Sequence, residues 1–282
     1  MKKILCLCAL LLSLSLEAFA FGHTTIVGEE ISGGGRRGMI PTVDGLNALP
    51  LQKNINSILH SAANDLAKRA GGNATLSYDI TLNRPTMFSV VLKAVGNSTV
   101  YQGVNIDNTT GKEVVSKDLF YLNDNYNQVV GTQEYVFAET GLLRATDKYG
   151  PYNESIPYSS LLKSVNIAEG ARYITSYKLT EGAENKTLLL RPGELVALYL
   201  SSNPTTGFDW QIANKDSIVG LVTMGNSFYL PSRNDTQMAG SPGTTILFFS
   251  FAQPGKYTLP LVYERAWEHN PLRSKNYHFI VK

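Results

Sequence analysis

The sequence predicts two domains, an α+β domain followed by an all-β sandwich, and three observations support this division. The 282 residues exceed the usual size of one domain, and 43% of them are hydrophobic, which suffices for packed cores. A helical period occurs once, early in the chain, and strand-like runs follow it. No helical period persists after Arg172, so the second half is predicted to be all-β.

Residues 1–20 have the pattern of a secretory signal peptide. Two lysines precede a short apolar run, and Ala18-Phe19-Ala20 fits a small-x-small cleavage site. A transmembrane anchor needs about 20 apolar residues, and Glu17 ends this run too early. The protein is therefore predicted to be secreted or periplasmic, without a membrane anchor after cleavage. Both cysteines lie in this segment, which excludes disulfides and thiol catalysis in the mature chain.

The first domain is predicted to span residues 41–167, behind a flexible glycine-rich tail at residues 21–40. Apolar residues recur at three- and four-residue steps from Leu51 to Ala70, which predicts a helix that Gly71 ends. Strand-like runs follow at 75–82, 87–94 and 100–106, with a hairpin at 135–145. One main helix with an antiparallel sheet makes this domain α+β.

The second domain is predicted to span residues 184–282, with the domain boundary between 167 and 184. Residues 246–249 are apolar on both faces, as expected of a central strand. The predicted strands lie at 187–190, 194–200, 209–212, 244–252, 256–264 and 277–281.

Three turn-rich segments between these strands carry the predicted site. They are rich in Asn, Thr, Gly and aromatic residues and contain no catalytic base, so they indicate binding rather than chemistry. We expect them to converge at one end of the sandwich. The candidate residues are Asn203, Pro204, Thr205, Thr206, Gly207, Phe208, Gly240, Ser241, Pro242, Gly243, Arg265, Ala266 and Trp267.

These three motifs, together with Arg191-Pro192-Gly193-Glu194 and Trp210, resemble the chagasin family of inhibitors of papain-like cysteine proteases. The resemblance implies an immunoglobulin-like β-sandwich whose three loops block the protease cleft. It also implies that the 203–208 segment covers the catalytic cysteine and histidine of the protease. Trp210 is expected to be a core residue. One departure from the family is Ala266, which stands where proline is usual.

The first domain resembles a bacterial extracytoplasmic domain found in polysaccharide deacetylases and in a lysozyme-sensing anti-sigma factor. The resemblance rests on short motifs and implies an envelope protein with lysozyme or peptidoglycan as a possible partner. The glycine- and histidine-rich stretch of that family is replaced by residues 95–99. The motifs lie at 41–46, 105–113, 118–120 and 156–159.

The sequence argues against two other classes of function. The formal net charge is +2 without a polybasic run, which argues against nucleic acid. A hydrolase in the first domain would need a catalytic motif, and neither His-Glu-x-x-His nor Gly-x-Ser-x-Gly occurs. Asp107, Glu113 and Asp118 are the carboxylates that this alternative leaves. We therefore predict a protease inhibitor that has no catalytic residue, metal or cofactor, with an envelope-binding protein as the alternative.

Overall fold

The computed structural model describes residues 24–167, 169–223, 227–232, 242–268 and 270–282. The predicted signal peptide and two candidate residues, Gly240 and Ser241, lie outside these ranges. The described chain is mostly β-sheet with few helices. None of its helices combines the length and the apolar character needed to cross a membrane.

One long helix packs on the first sheet. The helix, α1 (Leu49–Ala70), has a proline in its first turn and ends at Gly71, whose φ is 70°. Its buried face, which includes Ile55, Leu59 and Leu66, shares a core with the sheet. The strands lie in chain order and pair antiparallel, except that β2 and β3 are parallel. They are β1 (Thr25–Gly33), β2 (Arg36–Asp44), β3 (Ala74–Asn83), β4 (Met87–Val95) and β5 (Thr99–Asp107).

The prediction of a flexible tail at residues 21–40 is wrong for the part that the structure describes. Strands β1 and β2 form a hairpin, and β2 continues into residues that are buried under α1, Ile40 and Val43. Gly34 and Gly35 connect the strands with φ values of 59° and 75°. A two-residue turn of this kind requires positive φ at both positions, which glycine adopts without strain.

A smaller three-stranded sheet and three short helices complete the first half of the chain. The hairpin predicted at 135–145 is present as the first two strands of this sheet. The helices are α2 (Ser116–Leu119), α3 (Asp124–Val129) and α4 (Ala171–Ile174). The strands are β6 (Tyr135–Phe137), β7 (Gly141–Ala145) and β8 (Tyr152–Pro157).

Two sheets enclose the core of the second half. One sheet has the order β10-β17-β16-β12, and the other has the order β13-β15-β11-β9, with β14 also paired to β15. The first strand begins at Tyr177, so the predicted start at residue 184 is too late. The strands are β9 (Tyr177–Thr180), β10 (Thr187–Leu190), β11 (Val196–Ser202), β12 (Phe208–Ile212), β13 (Leu221–Thr223), β14 (Phe228–Pro231), β15 (Gly243–Phe251), β16 (Gly255–Arg265) and β17 (Arg273–Val281).

Strands β11 and β15 are buried on both faces. Val196, Leu198 and Phe249 point into the sandwich core. The alternate residues point outward and belong to a second buried cluster, which also contains Phe120, Leu142 and Tyr158 of the first half. The outer face of the sandwich is therefore covered by the first domain. The outward residues are Leu195, Ala197, Ile246 and Phe248.

Arg84 connects the two halves at this boundary. Its side chain is only 9% exposed, and its Nη2 lies 3.1 Å from the Glu139 carboxylate. It also donates hydrogen bonds to the backbone oxygens of Glu139 and Tyr173 and to the Ser176 hydroxyl. One guanidinium thus holds together the β3–β4 turn, the β6–β7 turn and the segment that leads into β9.

Asp107 connects the end of β5 to α4. Its carboxylate is paired with Arg172 at 2.5 Å and accepts hydrogen bonds from the hydroxyls of Tyr173 and Thr109. Burial alone would raise the pKa of Asp107, but the hydrogen bonds from Thr109, Tyr173 and Thr110 outweigh it and hold the pKa below its usual value. A carboxylate of this kind stabilises the folded state only while it is ionised.

Replacing Asp107 by asparagine should therefore make stability less dependent on pH. Since the folded pKa is depressed, the stabilisation is present above the unfolded pKa of about 4 and is lost as pH falls through the lower folded value. We expect the variant to lose about 2 kcal/mol at pH 7 and much less at pH 3. Urea unfolding at both pH values measures this, with the exposed Asp79→Asn as the matched control. Equal losses at both pH values would contradict the assignment.

Candidate functional site

The strand registers bring the three predicted segments to one end of the sandwich. Ser202, the last residue of β11, pairs with Gly243, the first residue of β15. Phe208, the first residue of β12, pairs with Arg265, the last residue of β16. All three segments therefore lie at the same end of the two sheets, although they are far apart in the chain. We call this end the tip, and residues 203–207 the tip loop.

The tip loop is folded by its own hydrogen bonds. A 3₁₀ turn covers Pro204–Thr206, and the amide of Gly207 donates to the Pro204 oxygen at 2.9 Å. The Thr205 hydroxyl donates to Oδ1 of Asn203 at 2.6 Å, and the Thr206 hydroxyl donates to the backbone oxygen of Asn203 at 2.7 Å. Both threonines are exposed. The loop thus presents a narrow polar surface whose shape is set before any partner arrives.

Gly207 joins the tip loop to the third segment. Its φ is 81°, and a Cβ atom added there would lie 2.7 Å from Cη2 of Trp267. The indole of Trp267 therefore lies directly against the glycine, where any side chain would displace it. The rest of the indole is open to solvent, with 69% of the residue exposed. Trp267 is the large aromatic surface of the tip, and Gly207 is the residue that allows it to lie there.

The side chain of Arg265 contacts other residues of the tip. Its Nε donates to the Thr206 oxygen at 3.0 Å, and its Nη1 pairs with Glu268 at 2.7 Å. The guanidinium carbon lies 4.6 Å from the centre of the Phe208 ring. The sequence placed Arg265 among the partner contacts, whereas these interactions engage it within the tip. Ala266, next to it, is exposed.

The second segment is described only in part. Pro242 is exposed beside the tip loop, whereas Gly243 is buried within β15. A Cβ atom on Gly243 would lie 2.4 Å from the Tyr229 ring, so a larger residue at this position would clash with that ring. Gly243 therefore supports the segment from below.

A layer of aromatic residues under the tip was only partly anticipated. Trp210 is 2% exposed, as expected of a core residue, and its indole N–H donates to the Ser201 oxygen at 3.0 Å. The Tyr263 ring stacks on the Phe208 ring with 5.5 Å between the ring centres. The Tyr263 hydroxyl accepts a hydrogen bond from the backbone amide of Asn203 at 2.8 Å. Arg273 lies 4.3 Å above the Tyr263 ring. Neither Tyr263 nor Arg273 is among the predicted site residues. Tyr263 lies two residues before Arg265 in the same strand-like run, which was the available signal, whereas Arg273 is brought beside it only by the pairing of β16 with β17.

The tip offers hydroxyls, backbone groups and one exposed indole, which are groups suited to recognition. Such a combination, a central aromatic residue within a polar surround, is characteristic of protein interfaces. Within the described ranges, no three His, Cys, Asp or Glu side chains are grouped so that they could hold a metal ion.

The second half of the chain is similar to known proteins. The family described as "Chagasin family peptidase inhibitor I42" matches residues 190–281. Chagasin of Trypanosoma cruzi is 34% identical over 95 residues, which are 33% of this chain and 84% of chagasin. Amoebiasin-1 of Entamoeba histolytica is 32% identical over 92 residues, which are 33% of this chain and 85% of that protein.

A solved structure is similar to part of this chain. The crystal structure of a cysteine protease inhibitor from Entamoeba histolytica has 26% identity and a TM-score of 0.33, and the match covers 38% of this chain and 95% of that one. Because this chain is 34% identical to chagasin over 84% of the length of chagasin, it belongs to the chagasin family of peptidase inhibitors.

Proposed function

We propose that the protein is a reversible inhibitor of papain-like cysteine proteases that blocks the active-site cleft with the tip of its second half. The observation that carries the proposal is the convergence of a prefolded, exposed tip loop with Trp267 on one side and Pro242 on the other. In this mode Asn203, Pro204, Thr205, Thr206 and Gly207 enter the cleft, and the flanking segments contact its two walls.

The rigidity of the tip loop supports this role. Binding costs free energy for every side chain and loop that it orders, and a loop already held by hydrogen bonds avoids most of that cost. Pro204 restricts its own φ, and Tyr263 and Arg265 fix the two ends of the loop from below. Inhibition by occlusion needs no nucleophile or acid, only complementarity over an interface of roughly 1,600 Å².

The remaining parts of the proposal concern the whole chain. We propose that the inhibitor acts outside the cytoplasm, in keeping with the pattern of residues 1–20, and that its sandwich is immunoglobulin-like. We also propose that the first domain has no enzymatic role. Asp107, one of its candidate carboxylates, is engaged by Arg172 and Tyr173 in a structural network. Lysozyme or peptidoglycan binding stays a prediction from the sequence.

Titration of the full chain against papain and several cathepsins tests the proposal. We expect stoichiometric, reversible inhibition that competes with substrate. Absence of inhibition at micromolar concentration across the panel would overturn the proposal. Loss of substrate competition with inhibition retained would overturn the cleft-blocking mode alone.

Replacing Ala266 by proline should tighten inhibition. The Ala266 amide donates no hydrogen bond to any residue in the described ranges, so the substitution removes none. Proline restricts the free loop and should stabilise the bound form by about 0.4–1 kcal/mol, or roughly two- to fivefold in the inhibition constant. The matched variant Ala266→Gly should move the constant in the opposite direction. An unchanged or larger constant for the proline variant would contradict the account.

A further inference from the structure

A cleft in the first domain lies between the β1–β2 turn and the last turn of α1. Its volume is about 360 Å³, within the range of sites that hold small molecules. The residues that line it come from the glycine-rich stretch of the hairpin, from α1 and from the turn that follows α1. The principal ones are Gly34, Gly35, Arg36, Asn64, Lys68 and Gly72.

Two polar side chains in this cleft have no partner among the residues that the structure describes. Neither the guanidinium of Arg36 nor the amide of Asn64 makes a hydrogen bond or an ion pair with any residue that the structure describes, although both residues are half-buried. The neighbouring cations are engaged. Arg37 donates to the Thr75 hydroxyl at 3.2 Å, and Lys68 pairs with Asp65 at 3.2 Å. The two unpaired groups, Arg36 and Asn64, therefore both line the cleft.

Backbone donors line the same cleft. Gly34, Gly35 and Gly72 have φ values of 59°, 75° and 73°, and their amides donate no hydrogen bond within the described chain. Because glycine has no Cβ, these amides are open to an approaching group. Backbone N–H groups in turns of this kind form concave sites for anions.

A structural role accounts for only part of this arrangement. Lys68 lies in the last turn of α1, where a cation stabilises the helix end and needs no ligand. Arg36 belongs to the hairpin and has no such reason to lie beside the helix end. The cleft therefore combines the unpaired guanidinium of Arg36, the unpaired side-chain amide of Asn64 and three glycine backbone amides. Lys68, which is paired with Asp65, lies beside them.

We propose that this cleft binds an oxyanion group, a carboxylate, phosphate or sulfate, carried by a small organic molecule such as an acidic sugar. The guanidinium of Arg36 provides the charge and two parallel donors, which match the geometry of such a group. The Asn64 amide and the aliphatic stems of Arg36 and Lys68 contact the rest of the ligand. The site is separate from the tip and does not depend on protease inhibition.

Nuclear magnetic resonance titration of the ¹⁵N-labelled full chain tests this proposal. Glucuronate and inorganic phosphate are the probes, and glucose is the uncharged control. We expect saturable shifts of the Gly34, Gly35 and Gly72 amides with both anions and none with glucose. A response to glucuronate that is tighter than the response to phosphate would support a sugar acid over the free ion.

A matched pair of variants makes the result specific. Arg36→Gln should weaken binding at least tenfold, whereas Arg37→Gln, which changes the adjacent cation, should leave it unchanged. Backbone shifts of β1 and β2 that are equal in both variants show that the hairpin is retained. Equal affinity in the two variants, or the absence of saturable shifts in the unmodified chain, would overturn the proposal.

Discussion

Replacing Thr206 by arginine is expected to abolish inhibition while leaving the protein folded. Thr206 is exposed at the end of the 3₁₀ turn of the tip loop, and its backbone oxygen, which Arg265 engages, is unaffected by the change. In the proposed complex the long cation would enter a cleft shaped for a hydroxyl-bearing residue. Steric conflict and an unpaired charge should raise the inhibition constant at least about 100-fold, which corresponds to about 2.7 kcal/mol.

The control for this variant is Thr187→Arg, which makes the same change at an exposed position of β10. Inhibition of papain and urea unfolding are measured for both variants. The Thr187 variant should inhibit like the unmodified chain. The Thr206 variant loses the hydrogen bond from its hydroxyl to Asn203 and should unfold within about 1 kcal/mol of the Thr187 variant. Retained inhibition by the Thr206 variant would show that the tip loop does not enter the cleft.

A fragment consisting of residues 184–282 alone is expected not to fold cooperatively. It lacks β9, which pairs along β11, and it exposes the outward face that the first domain covers. Exposing buried Leu, Ile or Phe side chains costs about 1.5–3 kcal/mol each. Three such residues, Leu195, Ile246 and Phe248, account for a loss comparable with the whole stability of a domain, about 5–15 kcal/mol.

Circular dichroism during urea unfolding measures the effect. The matched fragment carries Ile246→Thr and Phe248→Gln and starts at residue 175, so that β9 is kept and the outward face is polar. It should be soluble, should unfold cooperatively and should retain inhibition, because the tip is unchanged. A cooperative transition of the unmodified 184–282 fragment, with the stability of the full chain, would contradict the structural role assigned to the covered face.

The sequence predicted best those elements whose pattern depends only on local periodicity. Helix α1 and strands β3 to β5 follow directly from the spacing of apolar residues. The β1–β2 hairpin was missed because a run of glycines is compatible with both a flexible linker and a tight turn. What decides between them is the burial of Ile40 and Val43 under α1, which is a tertiary contact. Strand β9 was missed for a similar reason, since it is short and pairs in parallel with β11.

Residues 246–249 show how a correct observation can lead to an incomplete explanation. Their apolar character on both faces predicted a central strand, and β15 is one. The outward side chains, however, are apolar because they contact another part of the protein, not because of the sandwich itself. Hydrophobicity alone does not reveal which surface covers a residue.

The candidate site was predicted as three segments, and its internal contacts were not. The lengths of the intervening strands bring the segments together, and turn residues mark where each strand ends. The contact of Trp267 with Gly207 and the bond from Arg265 to Thr206 depend on the register of β12 with β16. That register is set by the packing of Trp210 and Tyr263 below, which no single segment encodes.

The contacts of Arg84 also bear on how the protein would respond to the enzymes around it. Suppose that a protease cut the chain between α4 and β9, at the connection between the halves. The two pieces would stay associated, because side chains from both sides of the cut share one buried cluster and Arg84 donates to the Ser176 hydroxyl across it. A nicked molecule would therefore keep its tip in place and migrate as one particle until denatured.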